Sequence, residues 1–173
     1  MTHYDVAASG LTFPEGPRWR DGKLWFSDFY SRAVYTLDAG GTLEKIVDVP
    51  GQPSGLGFMP NGDLLISSMR DQKVLRFANG ALSLHADLSA LVRYHCNDMI
   101  VLSNGRAYVG NFGFDPLSEE PRTTTLVKIE PDGSAGIVAE DMAFPNGMAT
   151  LDDERVLIVA ESVAQHLTAF DIA

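Results

Sequence analysis

Four polar residues recur along the 173-residue chain at intervals that could bring them to one site. They are Glu15, Ser54, Asn97 and Asn146, and successive members are separated by 39, 43 and 49 residues. Carboxylate and amide oxygens are hard donors, which suit Ca²⁺, Mg²⁺ or Mn²⁺ better than a metal that prefers thiolates. A cation held by such donors can polarise a carbonyl group and stabilise the oxyanion that forms when water attacks. The residue types therefore favour metal-assisted hydrolysis.

The segments around these residues repeat one order of elements, namely an opening strand, a polar turn, an apolar strand, another turn and an alternating strand. Asp21-Gly22, Asn61-Gly62 and Asn104-Gly105 supply hairpin turns, and Asp152-Asp153 takes their place in the fourth unit. Ten-residue stretches with helical apolar spacing are missing. The pattern predicts strands over 23–28, 33–37, 63–68, 73–77, 106–110, 125–129, 155–160 and 166–170.

A repeat of about 44 residues is typical of the four-stranded blade of a β-propeller. We therefore expect an all-β fold and one partial propeller domain over 1–173, with blade-like repeats at 13–50, 52–90, 95–142 and 144–173. The fourth repeat is expected to lack its outer strand. Since the first strand of each blade lines the central channel, the four polar residues should face one another there. The simpler alternative is that they merely begin strands.

Composition excludes several functional classes. Thirteen Lys and Arg against 23 Asp and Glu give a formal charge of −10, which disfavours a nucleic-acid partner. The aliphatic run at 156–160 is far shorter than the roughly 20 residues that span a bilayer, and no targeting segment is visible. The single cysteine, Cys96, cannot form an internal disulfide, so a reducing compartment and a cytoplasmic location are expected.

Several short motifs resemble those of the family of senescence marker protein, gluconolactonase and luciferin-regenerating enzyme. Each motif is short, but together they run through nearly the whole chain in order and at blade spacing. They are FPEGPRW at 13–19, PSGLGF at 53–58, ND at 97–98, YVGNFG at 108–113, FPNGMA at 144–149 and AES at 160–162.

The resemblance implies a six-bladed propeller that holds one divalent cation, with Ca²⁺ favoured over Mg²⁺, Mn²⁺ or Zn²⁺, and hydrolyses sugar lactones or related esters. By motif matching, Glu15 corresponds to the family's carboxylate metal ligand and Asn146 to its amide ligand. Asn97 corresponds to an Asn that ligates the metal or contacts the substrate, depending on the branch. His95 shares the face of Asn97 and is a candidate substrate contact. It lies where some members carry a substrate-binding Arg, and this departure leaves sugar-acid specificity open.

The resemblance also implies a further Asp, which completes the metal site and is the favoured base. It would lie about 50 residues beyond Asn146, whereas the sequence ends at Ala173. We therefore expect an incomplete site, in which the catalytic residue is unknown. Three explanations remain open: a fragment of a longer enzyme, a homo-oligomer in which another copy supplies the missing blades, or a four-bladed propeller closed by residues 4–8 as its last outer strand.

Other polar residues are weaker candidates. Strand alternation points Cys96 away from His95 and Asn97, so a buried apolar role is expected for the thiol. The same alternation directs Asp98 away from the face of Asn97. Asp28, Asn111 and Glu161 end second strands at matching repeat positions and are interpreted as supporting polar groups.

Two functional classes follow from these observations. The first is a divalent-metal-dependent lactonase or esterase whose partner is a small-molecule lactone or ester, without nucleic acid or membrane. Phosphoesters or organofluorophosphates are alternative substrates on the same scaffold, because a metal with oxygen ligands also binds phosphoryl oxygens. The second class is a non-catalytic propeller fragment that binds a ligand or a protein partner, with the cation tying its blades together.

Overall fold

The computed structural model describes residues 4–172 and shows fifteen β-strands there. The first two sheets contain β1 (Pro14–Arg20), β2 (Lys23–Asp28), β3 (Ala33–Asp38), β4 (Leu43–Asp48), β5 (Pro53–Phe58), β6 (Leu64–Ser68), β7 (Lys73–Ala78) and β8 (Ala81–Asp87). The other two contain β9 (Cys96–Val101), β10 (Ala107–Asn111), β11 (Thr124–Ile129), β12 (Ala135–Met142), β13 (Pro145–Leu151), β14 (Val156–Glu161) and β15 (His166–Asp171). No helix among the described residues has the length and apolarity that a membrane crossing requires.

Each sheet is an antiparallel meander in which the strands follow chain order. The first three sheets have four strands each, and the fourth has three, β13 to β15, within residues 4–172. The second and third strands of each sheet lie where the turn and alternation patterns predict them. The prediction of an all-β propeller built from antiparallel blades is thus confirmed.

The first strand of every blade lies at the centre of the propeller. β1 packs beside β5, β5 beside β9, and β9 beside β13. A central cavity of about 510 Å³ is lined by residues of all four strands, among them Arg18, Gly57, Ile100 and Thr150. The inner strands therefore form the wall of a common channel, as the repeat predicts.

Glycines let strands of neighbouring blades approach closely. A β-carbon at Gly55 of β5 would lie 2.3 Å from the backbone nitrogen of Met99 in β9. One at Gly110 of β10 would lie 2.2 Å from the carbonyl oxygen of Pro145 in β13. Both distances are too short for real carbon contacts, so only glycine permits this approach of one backbone to another.

Apolar layers between neighbouring blades form the core. Val34, Leu56 and Ile66 pack between the first and second blades. Leu65 and Met99 belong to the layer between the second and third blades, and Leu126 and Leu157 to the layer between the third and fourth. Each fully buried aliphatic side chain contributes about 1.5–3 kcal/mol by leaving water, so these layers hold the blades together.

The segment before the first blade does not form a strand. Residues 4–9 make no ladder, and the fourth sheet ends at β15. Instead Ala7, Ala8 and Leu11 line a cavity of about 390 Å³ with Leu24 and Phe26 of the first blade. The alternative in which residues 4–8 complete the fourth blade is therefore wrong, because these residues pair with no strand and Ala7 and Ala8 lie against the first blade.

Replacing Gly55 by Ala is expected to destabilise the protein by about 1–3 kcal/mol or more, since the added β-carbon would overlap the backbone of β9. Urea unfolding followed by circular dichroism measures the change. Gly136→Ala is the matched control, because a β-carbon at Gly136 meets nothing within 4 Å. Equal unfolding midpoints for the two variants would contradict the close packing of β5 on β9.

Candidate active site

The inner strands carry the same irregularity at the same end of every blade. The register of each inner strand against its neighbour shifts by one residue, between Glu15 and Arg18 in β1 and between Pro145 and Met148 in β13. β5 and β9 have the same shift, which leaves Ser54-Gly55 and Asn97-Asp98 each opposite a single residue. A bulge of this kind places two consecutive side chains at the edge of the ladder, where they can serve a site.

Glu15 lies at the start of β1 and is only partly exposed. Burial raises the pKa of Glu15 above its usual value. The backbone N–H of Gly16 acts in the opposite direction, but the negative charge of Asp98 adds to the rise. The carboxylate of Asp98 therefore lies near enough for its charge to affect Glu15.

Asp98 reaches across the propeller to the first blade. Its Oδ1 atom accepts hydrogen bonds from Arg18 Nη2 at 3.2 Å and from the backbone N–H of Met99 at 2.8 Å. Arg18 Nη2 also donates to the Met99 carbonyl at 2.6 Å. Burial raises the pKa of Asp98, while the Arg18 guanidinium opposes this rise. Since the second blade separates the first from the third, this ion pair spans the centre.

Sequence reasoning missed the contact between Asp98 and Arg18. The alternation of the strand does separate Asn97 from Asp98, since the Asn97 side chain points to β13 and the Asp98 side chain points to β1. In a propeller, however, both directions lead to other inner strands and not out of the channel. Arg18 belongs to the first motif of the chain, and its type and position were the available indication of an anionic partner.

The two asparagines keep their carbonyl oxygens available. Asn97 is buried, and its amide nitrogen donates to the Pro145 carbonyl at 3.2 Å. The amide nitrogen of Asn146 donates to the Ser162 hydroxyl at 3.2 Å. Within residues 4–172, neither Oδ1 atom accepts a hydrogen bond from the protein. Each asparagine can therefore offer an oxygen to a ligand while its nitrogen holds the side chain in place.

The other predicted residues have different surroundings. Ser54 is buried, and its backbone carbonyl accepts a hydrogen bond of 2.6 Å from the Ser27 hydroxyl. The His95 ring stacks on Tyr94 with a centroid distance of 4.0 Å and joins an aromatic cluster. Cys96 is fully buried, which raises the pKa of its thiol to about 12 and makes it unsuitable as a nucleophile at neutral pH.

The donor chemistry fits a hard divalent cation. Glu15 supplies a carboxylate, and Asn97 and Asn146 supply amide oxygens that the protein leaves free. A cation would also offset the repulsion between Glu15 and Asp98. The described residues contain no cluster of three or more His, Cys, Asp or Glu that could hold a metal. A cation would therefore depend on amide oxygens and water for much of its coordination.

The three supporting groups fix the loops around the site. Asp28 accepts hydrogen bonds from the backbone N–H groups of Thr12 at 3.0 Å and Phe13 at 2.6 Å, and Phe13 lies two residues before Glu15. Glu161 accepts the N–H of Ala143 at 2.6 Å, just before Asn146. These carboxylates position the two segments that lead into the inner strands.

Asn111 does the same for a different segment. Its amide nitrogen donates to the Thr125 carbonyl at 2.7 Å, and its amide oxygen accepts the Thr124 hydroxyl. Both threonines lie at the start of β11. The side chain thus ties the long connection over 112–123 to the third blade.

Comparison with protein families gives a match that covers most of the chain. Residues 13–173 match the family model described as the SMP-30/gluconolactonase/LRE-like region. A search of curated proteins found no match.

Solved structures share the same fold at low identity. A gluconolactonase from Xanthomonas campestris is 24% identical with a TM-score of 0.75, over 93% of this chain and 58% of that one. Regucalcin, a calcium-binding protein from Agrobacterium tumefaciens C58, is 20% identical with a TM-score of 0.80, over 97% and 57%. A luciferin-regenerating enzyme is 15% identical with a TM-score of 0.81, over 96% and 58%. The chain thus spans about three fifths of the length of these proteins.

We expect Asp28→Asn to destabilise the protein by about 1.5–3 kcal/mol at pH 7, because hydrogen bonds to a charged acceptor are strong. Burial alone raises the pKa of Asp28, but its hydrogen bonds outweigh this and hold the pKa below its usual value. The charged form therefore stabilises the fold above about pH 4, and this contribution is lost as the pH falls through the folded pKa.

Urea unfolding at pH 7 and pH 3 measures the difference between wild type and Asp28→Asn, which should shrink at pH 3. Asp48→Asn is the control, since Asp48 is exposed and pairs only with Lys45 on the surface. A difference that does not depend on pH would show that the charge of Asp28 has no part in holding the loop.

Proposed function

The chain belongs to the SMP-30/gluconolactonase/LRE-like family, and we propose that it hydrolyses sugar lactones or related esters at the mouth of its central channel, aided by a divalent cation. The proposal places the cation on Glu15, Asn97 and Asn146. Ca²⁺ is the favoured ion because all of these donors are oxygens. Two proteins of the same fold support the proposal, since one is a gluconolactonase and the other is a calcium-binding protein.

One observation carries the proposal. Arg18 pairs with Asp98 at 3.2 Å, and the charge of Asp98 contributes to the raised pKa of the partly buried Glu15. Buried carboxylates with raised pKa values are costly to the fold and are common at catalytic sites. A structural role for the cluster would require only the Arg18–Asp98 pair, whereas Glu15 has no cationic partner among its described contacts.

When bound, the cation would act as a Lewis acid on the substrate carbonyl. The chain's own groups perform the proton transfers. Asp98 Oδ1 is held by Arg18 and the Met99 N–H, which leaves Oδ2 free to accept a proton from the attacking water. Its raised pKa makes Asp98 a stronger base than an exposed aspartate.

The proposed reaction consumes one water and opens the lactone ring. Water forms a bond to the carbonyl carbon as Asp98 takes its proton, and the ring C–O bond then breaks. The leaving oxygen receives that proton from Asp98, and the product is a hydroxy acid. Arg18 remains beside Asp98 throughout and stabilises its charged form.

We expect Glu15→Gln to weaken Ca²⁺ binding more than Ser54→Ala does, because only the first substitution removes a charged ligand. Three protein donors are fewer than the six to eight that Ca²⁺ usually takes, so the wild-type affinity should itself be modest. Isothermal titration calorimetry measures the affinities. Hydrolysis of glucono-δ-lactone, followed by acid release with and without a chelator, tests the activity. Equal calcium affinities in the two variants would refute the assignment of Glu15 as a ligand.

Asp98→Asn should lower kcat by about 10²–10⁴-fold with a smaller change in KM, because a positioned base contributes that much to the rate. The measurement is steady-state hydrolysis of the same lactone at saturating Ca²⁺. Asp63→Asn is the matched control, since Asp63 pairs with Arg76 on a blade surface. A variant at position 98 that keeps its kcat but melts at a lower temperature would show that Asp98 is structural.

A further inference from the structure

One exposed arginine near the mouth of the channel has no carboxylate partner. Arg70 is the second residue after β6, the second strand of the second blade. Other arginines among residues 4–172 form ion pairs, as Arg18 does with Asp98. Within the same residues Arg70 forms no ion pair, not even with the adjacent Asp71. In a chain with a formal charge of −10, this guanidinium is free to bind an anion from solution.

Backbone hydrogen bonds place Arg70 at the same end of the channel as the oxygen donors. The N–H of Arg70 donates to the carbonyl of Gly51, two residues before β5, at 2.9 Å. The N–H of Cys96, at the start of β9, donates to the carbonyl of Met69 at 3.2 Å. Asn97 directly follows Cys96 in β9. The backbone around Arg70 is therefore bonded to the segments that begin two inner strands.

The side chain of Arg70 acts on the residues that lead into β9. Burial lowers the pKa of His95, and the positive charge of Arg70 lowers it further. Burial raises the pKa of the Tyr94 hydroxyl, and the charge of Arg70 opposes this rise. The guanidinium is therefore close enough to both side chains for its charge to affect them. Since His95 lies two residues before Asn97, this charge is near the candidate active site.

Two carboxylates of the long connection before β11 are also close to this segment, but other groups engage them. After burial, the charges of Asp115 and Glu119 contribute to the raised pKa of Tyr94. Asp115 accepts a hydrogen bond of 2.8 Å from the Ser118 hydroxyl. Glu119 pairs with Arg93 at 2.8 Å. Both carboxylates are thus held within their own segment and leave the guanidinium of the second blade unpaired.

The fold does not require a charge at position 70. The residues two places after the second strand of each blade are, in chain order, Tyr30, Arg70, Gly113 and Val163. Of these four residues, only Arg70 is charged. Its side chain is exposed and donates no hydrogen bond to any group of residues 4–172. The geometry that the blades share therefore does not account for this cation.

Building on the proposed function, we propose that Arg70 binds an anionic group of the substrate, so that the preferred substrates are lactones that carry a carboxylate. A guanidinium presents its N–H donors in a planar fork that matches the two oxygens of a carboxylate. Arg70 makes this contact while Asp98 acts at the lactone carbonyl. Arg70 therefore orients the substrate and determines specificity, and it takes no part in making or breaking bonds.

A pair of matched substrates tests the contact. The carboxylate and the carboxamide of 5-oxotetrahydrofuran-2-carboxylic acid contain the same lactone ring and differ in one charged group. We expect a higher kcat/KM for the carboxylate. Arg70→Gln should lower the ratio of the two kcat/KM values by about tenfold, the lower end of what a hydrogen bond to a charged group contributes. Arg70→Lys, which keeps the charge, should retain more of the preference.

Arg155→Gln is the matched control for the loss of one positive charge. Arg155 is also exposed, but it lies in the turn between β13 and β14, at the end of β13 opposite to Asn146. This variant should leave the ratio unchanged. Unfolding midpoints of wild type and Arg70→Gln should be equal, because the Arg70 side chain is exposed. An equal loss of preference in Arg155→Gln would show that net charge, and not a contact with Arg70, sets the preference.

A binding measurement separates this proposal from the proposed activity. The lactam pyroglutamate has the shape of the carboxylate lactone and resists hydrolysis, and its amide is the uncharged counterpart. Calorimetry should show that wild type binds pyroglutamate more tightly than the amide and that Arg70→Gln removes the difference. This result would support the anion contact even if no lactone were hydrolysed.

The opposite result is equally clear. Lactone hydrolysis whose substrate ratio is unchanged in Arg70→Gln, together with pyroglutamate binding that is absent or no tighter than that of the amide, would overturn the role of Arg70. The proposed activity would then still stand.

Discussion

The whole molecule depends on how closely its inner strands pack against one another. Where β5 faces β9, a β-carbon at Gly55 would come within 2.3 Å of the Met99 nitrogen. Where β1 faces β5, a β-carbon at Gly16 would come within 2.8 Å of the Ser54 carbonyl oxygen. Backbone groups therefore meet directly around the channel, without intervening side chains. The close approach of the inner strands around the channel therefore depends on these glycines.

This constraint also creates the candidate active site. A β-carbon at Gly55 would lie 2.7 Å from Oδ1 of Asp98, so the glycine leaves room for the carboxylate that pairs with Arg18. The first and third blades can thus interact across the second. The same closeness places the charge of Asp98 near Glu15, and burial keeps the pKa of both carboxylates raised. Packing and electrostatics at the site therefore have one structural origin.

Repetition of the blade allows equivalent positions to take different roles. At the end of the second strand, Asp28 and Glu161 anchor the segments that precede Glu15 and Asn146, whereas Asn111 anchors the start of β11. The position directly before the inner strand varies as well, since it holds a phenylalanine in the first and fourth blades, a glutamine in the second and a histidine in the third. One backbone geometry therefore positions loop anchors, candidate oxygen donors and ring contacts at equivalent places.

The sequence by itself determined the blades, because turns and alternation are local properties. Hairpin dipeptides such as Asp21-Gly22 and a period of about 44 residues were enough to predict the strands, the propeller and the three strands that the fourth sheet has within residues 4–172. The positions of Glu15, Asn97 and Asn146 at the starts of inner strands followed from the same repeat. Only the tertiary structure decided that Asp98 reaches Arg18, that Ala7 and Ala8 lie beside the first blade, and that Tyr94, His95, Phe112 and Phe144 meet. These contacts join residues from different blades or loops, so they depend on strand curvature and blade spacing, which no local pattern contains.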